Sequence, residues 1–217
     1  TSCIVIVSDE KTIEVADDKY LTYKFLKDND FNHPVSFLES EIDVAIQKGL
    51  INFPMVIKPR KGYRSVDVYV VHDKLNLEEK ICFISNPIIQ EYIGSDDTEY
   101  TCGVIAFNGE VKASIVLNRT LKDGNTYTTI LRANFPSAIK DYIESVSAKL
   151  NQFGVCNFQL RLDKGTPKIF EINARHSGTT YIRSLYGFNE VEYILAFILE
   201  KKEIAFELKE GKVQRYF

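Results

Sequence analysis

Asn108 and Gly109 lie between two β-patterned runs, at 100–107 and 111–118. An Asn-Gly pair suits the positive-φ turn that joins neighbouring antiparallel strands. The middle of the chain is thereby committed to a hairpin, and the rest must be built around it. Further β-patterned runs stand at 54–59, 66–71, 88–92 and 127–133, and a pair at 155–162 and 168–172 is turned by Lys164-Gly165.

Helical patterning falls into two groups. In the first, Asp17 or Asp18 caps a helix with Leu21, Phe25 and Leu26 on one face, and a second helix over 39–50 ends at Gly49. A short helix is expected over 76–83. In the second, Pro136 opens a long helix with Ile139, Ile143, Val146 and Leu150 inward and Gly154 at its end; a helical region over 179–200, interrupted at Gly187, follows. Hairpins with helices in two groups read as α+β, and two lobes with a cleft between them suit that order. The opening CIVIV at 3–7 reads as a short buried strand, and the end of the chain as a short β-like tail.

Composition excludes several roles. A formal charge of −3 over 217 residues, with Lys and Arg scattered, offers no basic field for nucleic acid or an anionic membrane. No apolar run nears the roughly 20 residues of a membrane span, and the first residues lack a basic signal-peptide start, so a cytoplasmic protein is expected. Cys3, Cys82, Cys102 and Cys156 form no CxxC pair and read as buried reduced thiols. His33, His72 and His176 show no metal-ligand spacing.

Four segments carry candidate chemistry. Lys58 ends the strand at 54–59, and the basic, glycine-containing loop at 60–65, with Arg64 and Ser65, has the make-up of a phosphate-holding flap. The run Gln90, Glu91, Tyr92, Ile93 leads into a glycine turn followed by Glu99, which offers backbone donors and acceptors for a purine and a carboxylate for ribose. In 157–178, strand pairing brings Gln159 near Glu171, and Asn173 shares the face of Glu171 because strand side chains alternate. One Glu, one Asn and one Gln make a plausible partial shell for magnesium, which prefers hard oxygen donors. Arg175 follows at once; the plain alternative is that it pairs with Glu190.

In order and spacing these segments resemble an ATP-grasp domain, and the NFQ and EINAR pair is most similar to carbamoyl-phosphate synthase large-chain domains. The resemblance implies the ATP-grasp fold, two α+β lobes whose antiparallel sheets grip ATP. It implies a domain over 17–200, with a smaller nucleotide lobe at 55–92 and a larger metal and substrate lobe at 93–200. Residues 1–16 would be the remnant strand of a preceding α/β domain and 201–217 a tail, as in a truncated piece. It further implies that Lys19 and Lys58 contact phosphates, and that Arg64 and Ser65 belong to the flap. Gln90, Glu91, Tyr92 and Ile93 would contact adenine between Val56 and Phe170, with Glu99 on the ribose. Gln159, Glu171 and Asn173 would hold magnesium, or manganese in its place. Arg175 would face the carboxylate or acyl phosphate, and Arg119 and Arg132 would steady an anionic substrate.

The activity implied is ATP-dependent ligation of a small-molecule carboxylate to an amine, with catalysis by positioning and electrostatics at Lys58 and Arg175. A homodimer is left open. The rival expectation is a nucleotide-binding module without catalysis, against which the presence of both Glu171 and Arg175 counts.

Overall fold

The computed structural model describes residues 3–62 and 65–216. In chain order these form α1 (Glu10–Asp17), α2 (Lys19–Asp28), β1 (Ser36–Leu38), α3 (Ile42–Gln47), β2 (Met55–Pro59), β3 (Tyr69–Val71), α4 (Lys74–Ile81) and β4 (Pro87–Glu91). Then follow β5 (Glu99–Phe107), β6 (Glu110–Lys122), β7 (Asn125–Leu131), α5 (Ser137–Leu150), β8 (Phe153–Asp163), β9 (Thr166–Asn173), α6 (Thr180–Leu185), α7 (Glu190–Glu200) and β10 (Gly211–Gln214). The strands make two antiparallel sheets, one four-stranded in the order β1-β4-β2-β3 and one six-stranded in the order β10-β7-β6-β5-β8-β9.

Alternation along the strands decides what each sheet face meets. In β2, Met55 and Ile57 join a core with Ala45 of α3 and Leu77 of α4, whereas Val56 and Lys58 point the other way. The large sheet is covered on both faces, and every residue of β5 is buried. Tyr100, Cys102 and Val104 pack under α5 with Ile139, Ile143 and Val146. Ile105 and Phe107, of opposite parity, pack with Ile182, Phe188 and Ile194 around α6 and α7. Each such side chain contributes about 1.5–3 kcal/mol on burial, so the two faces together anchor the sheet from which the cleft residues project.

Helix termini follow local chemistry. Asp18 caps α2 by accepting from the amides of Tyr20 and Leu21, as its sequence position suggests. Asp9 caps α1 through Thr12, a helix that sequence patterning does not reveal because only Thr12 and Ala16 on it are buried. Helix α5 stops at Asn151, which takes the left-handed φ of 58°, and Gly154 instead lies within β8. Gly187 does break the last helical region; its φ is 90°, and Glu207 O occupies the place a Cβ would need.

Several expectations are corrected. Residues 3–7 form no strand and are exposed, because no neighbouring strand pairs with them. Cys3 and Cys82 are exposed, while Cys102 and Cys156 are buried within the large sheet. Residues 66–68 stay outside β3, and the expected helix over 39–50 is a 3-10 turn leading into α3. The tail supplies β10, which pairs with β7 at the sheet edge, and β1, unforeseen, adds a strand to the small sheet upstream of 55. No helix among the described residues is long and apolar enough to cross a membrane.

Gly103 of β5 lies against Arg183, a fully buried side chain of α6, and a Cβ on it would sit 2.6 Å from Arg183 Nη1. Gly103→Ala is therefore expected to destabilise the fold by about 1–3 kcal/mol through overpacking. Thermal unfolding measures this; an unchanged Tm would show that the guanidinium has room to move.

Candidate active site

The two sheets face one another across a cleft holding about 890 Å³ of non-atom space, part of it open to solvent. Val56, Val68 and Val70 from the small sheet side and Leu121, Ile93 and Phe170 opposite give it apolar walls. Phe170 and Glu171 are adjacent in β9, yet both line the cleft. The register explains this: Gln159 pairs with Glu171 but Leu160 pairs with Ile169, so Phe170 is the extra residue of a β-bulge and is turned inward.

Charge in the cleft is organised around Glu99, which is 5% exposed. One of its oxygens accepts from Arg119 Nε and Nη2, at 2.9 and 2.7 Å, and the other from Arg161 Nε at 2.9 Å. Arg119 Nη2 also donates to Gln159 Oε1 at 2.8 Å, and Arg161 stacks over Tyr92, 5.4 Å from the ring centre. Lys58 is buried, donates to Gln90 Oε1 at 2.9 Å, and stands 5.2 Å from the centre of the Phe170 ring. Burial, and secondly the neighbouring Lys19, lower the Lys58 ammonium to about 7; Glu171 and Glu99 oppose the shift without cancelling it. An ammonium in that state lacks a full anionic partner. Lys19 Nζ, also buried, reaches only the carbonyls of Arg60 and Gly62, each at 3.5 Å.

A second cavity adjoins the first and shares Lys19, Gly62 and Glu171 with it; Ala16, Asp17, Lys61, Asn173 and Arg175 line the remainder. Glu171 Oε1 accepts from Asn173 Nδ2 at 2.9 Å and from Gln159 Nε2 at 3.4 Å, and Asn173 Oδ1 accepts from Arg175 Nη2 at 3.1 Å. The three expected metal-holding side chains thus converge. Among the described residues no group of three His, Cys, Asp or Glu could hold a metal ion, so this set supplies one carboxylate and two amide oxygens. Such a set fits a hard cation held jointly with anionic oxygens of a ligand, and not one held by protein alone.

The other candidates are placed as follows. Lys19, Val56, Ser65, Gln90, Glu91, Tyr92 and Ile93 all line the first cavity, as does Arg119. The Gln90 side chain is spent within the small sheet, between Lys58 and Ser36 Oγ. The Glu91 carboxylate accepts from the Val35 amide and from Lys168 of β9. Arg64 lies outside the described residues. Arg132 is exposed beyond the end of β7 and lines neither cavity. Glu99 lines the first cavity with both of its oxygens held by arginines. Arg60 and Lys61, at the start of the expected flap, pair with Asp18 and Asp17. Arg175 does not pair with Glu190, which is taken by Arg183 and His176.

Sequence reasoning missed Arg161 and the valines at 68 and 70. Arg161 lies two residues past Gln159 on β8, so period-two alternation alone puts both on one face. The valines carry the same signal, leading through the loop into β3.

The family described as ATP-grasp in the biosynthetic pathway with Ter operon matches residues 84–215. The D-alanine–D-alanine ligase of Thermosipho africanus is 25% identical over 174 residues, which cover 73% of this chain and 43% of that protein. A carbamoyl phosphate synthase large chain of Caldanaerobacter subterraneus subsp. tengcongensis is 26% identical over 199 residues, 80% of this chain and 17% of that one. Among solved structures, N5-carboxyaminoimidazole synthetase from Staphylococcus aureus, complexed with ADP, superposes with a TM-score of 0.76 at 16% identity, covering 93% of this chain and 56% of that one. At that identity the likeness establishes the ATP-grasp fold. The chain spans less than two thirds of each of these proteins.

The depressed Lys58 has a consequence for stability. Its folded value near 7 lies below the ordinary 10.5, so between those values the unfolded chain binds more protons. Stability from this residue is present at high pH, falls as pH drops through that window, and is level below it, with a slope of order 1 kcal/mol per pH unit. Denaturant unfolding of the parent and of Lys58→Met from pH 7 to 9 is expected to show the extra slope in the parent only. Equal slopes would mean that the ammonium is not desolvated.

Proposed function

This chain belongs to the ATP-grasp family, and from that membership we propose that it is the nucleotide- and metal-binding part of a ligase joining a carboxylate to an amine through an acyl phosphate. In this it would resemble the carbamoyl phosphate synthase large chain. The observation that carries the reading is the junction of the two cavities. Lys19 and Glu171 belong to both; the first cavity alone has apolar walls beside its charged floor, and the second is lined mostly by charged and polar side chains. A nucleoside fits the first, a small carboxylate fits the second, and the phosphates fall between them.

In that arrangement Tyr92 and Ile93 border the base, with Val56 and Phe170 as its walls. Lys19 and Lys58 neutralise the phosphate oxygens, which restores to Lys58 the anionic partner it lacks. Ser65, on the first cavity's rim, and Arg64 would belong to the phosphate-covering loop. Gln159, Glu171 and Asn173 would hold magnesium, or manganese, which would supply charge neutralisation on the transferring phosphoryl group. Arg119, tied to Glu99, orients Gln159. Arg175, on the second cavity and free of Glu190, offers its guanidinium to the carboxylate. No nucleophilic side chain is required.

Two substitutions test this. Glu171→Gln removes the one formal charge of the metal set, and the magnesium-dependent gain in ATP affinity is expected to fall about 10- to 100-fold, the worth of one charged contact. Titration calorimetry with and without magnesium reads it, and an undiminished gain would sink the metal assignment. Arg175→Ala is expected to leave ATP affinity within a few-fold while carboxylate-dependent ADP release falls on the order of 100-fold. Retained ADP release would remove Arg175 from the reaction; lost ATP binding would move it into the nucleotide site.

A further inference from the structure

Beside the second cavity runs a buried ionic chain that the reading above leaves unused. Arg183 of α6 and Glu190 of α7 are both fully buried, and Arg183 Nη1 donates to Glu190 Oε2 at 2.8 Å. Arg183 Nη2 donates to Asn157 Oδ1 on β8. Glu190 Oε1 accepts from Thr180 Oγ1 and lies 3.0 Å from His176 Nδ1. Burial pushes the Glu190 carboxyl up, but the charge of Arg183 and the bonds from Thr180, His176 and Arg183 outweigh it and hold the group below its ordinary value.

An ionised carboxylate has no proton to give, so the hydrogen between these two residues sits on His176 Nδ1. In the neutral ring Nε2 is then a bare acceptor. Glu190 does not need the histidine for charge balance, because Arg183 already provides it. The imidazole is 46% exposed, and the His176 carbonyl accepts from Arg175 Nη1 at 3.0 Å. His176 is in the lining of neither cavity, but it is the next residue after the arginine that lines the second. The charged groups around it are Glu190 from α7, Arg183 behind it from α6 and Arg175 from its own segment. Arg215, beyond β10, holds the carbonyl of Gly178 on the same loop.

We propose that His176 Nε2 accepts the proton from the amine in the ligation step, and that Glu190 is the positioning residue that selects its tautomer. The inference rests on the acyl-phosphate reading. In this step the amine nitrogen bonds to the acyl carbon and the carbon–oxygen bond to phosphate breaks. Inorganic phosphate leaves, and the proton shed by the nitrogen passes to His176 Nε2 and on to water.

Two measurements decide it. Long-range 1H–15N NMR of the protein, with His176 assigned by its loss in His176→Gln, is expected to show the neutral ring protonated at Nδ1; a ring protonated at Nε2 overturns the inference whatever the substrate. The second uses ATP, magnesium and the common amino acids as both carboxylate and amine probes, with hydroxylamine as competing nucleophile. Hydroxylamine is unprotonated at neutral pH and traps an acyl phosphate without a base. In His176→Gln the ratio of hydroxamate to ligated product is expected to rise about 100-fold, the scale of a general base. A ratio that stays at the parent value overturns the inference and leaves the ligase reading standing. Absence of hydroxamate from the parent with every probe overturns that reading and the inference with it.

Discussion

Charges enclosed between two sheets need partners within hydrogen-bond reach, and one carboxylate ties together two of the cleft's arginines. Glu99 holds Arg119 and Arg161 on its two oxygens. From Arg119 the bonds pass to Gln159, from Gln159 to Glu171, from Glu171 to Asn173 and from Asn173 to Arg175. The strands β6, β5, β8 and β9 are thus cross-linked by side chains as well as by their backbone ladders. The same strand face supplies Val155 to the apolar core and Asn157 to Arg183 before it reaches Gln159 and Arg161. Core, buried ionic pair and cleft are successive stations along a single alternating strand.

Much of this was legible in sequence where alternation and turn chemistry act alone. Glu171 and Asn173 share a face because they are two residues apart, and Gln159 meets Glu171 because Lys164-Gly165 sets the turn. Lys58 and Val56 were legible on β2 for the same reason. The pairing of Glu99 with Arg119 was not. An unbroken hairpin from Asn108-Gly109 places Asn118 opposite Glu99, but the register shifts by one between Ile105 and Ala106, and Arg119 takes that place. A bulge of this kind has no period in the sequence to betray it.

The remaining departures come from partners that one segment cannot name. Residues 3–7 carry apolar patterning, yet burial requires a neighbour, and Ile6 finds little beyond Gly154. Three residues at 36–38 become a strand only because the edge of β4 is open to them. Arg132 and Arg161 look alike as residues near polar loops; one ends outside the cleft because β7 stops at Leu131, the other inside because β8 continues to Asp163.

The bulge at Phe170 bears on how such a site can change. Upstream of it, Ile169 faces the core under α5; downstream, Ile172 faces the same core three residues later instead of two or four. Removing Phe170 would restore strict alternation, with Ile169 and Ile172 still in the core and Glu171 and Asn173 still toward the cleft. The bulge therefore adds an aromatic wall to the cleft without displacing its polar neighbours, so a one-residue shortening at that point would remove the ring and spare the carboxylate.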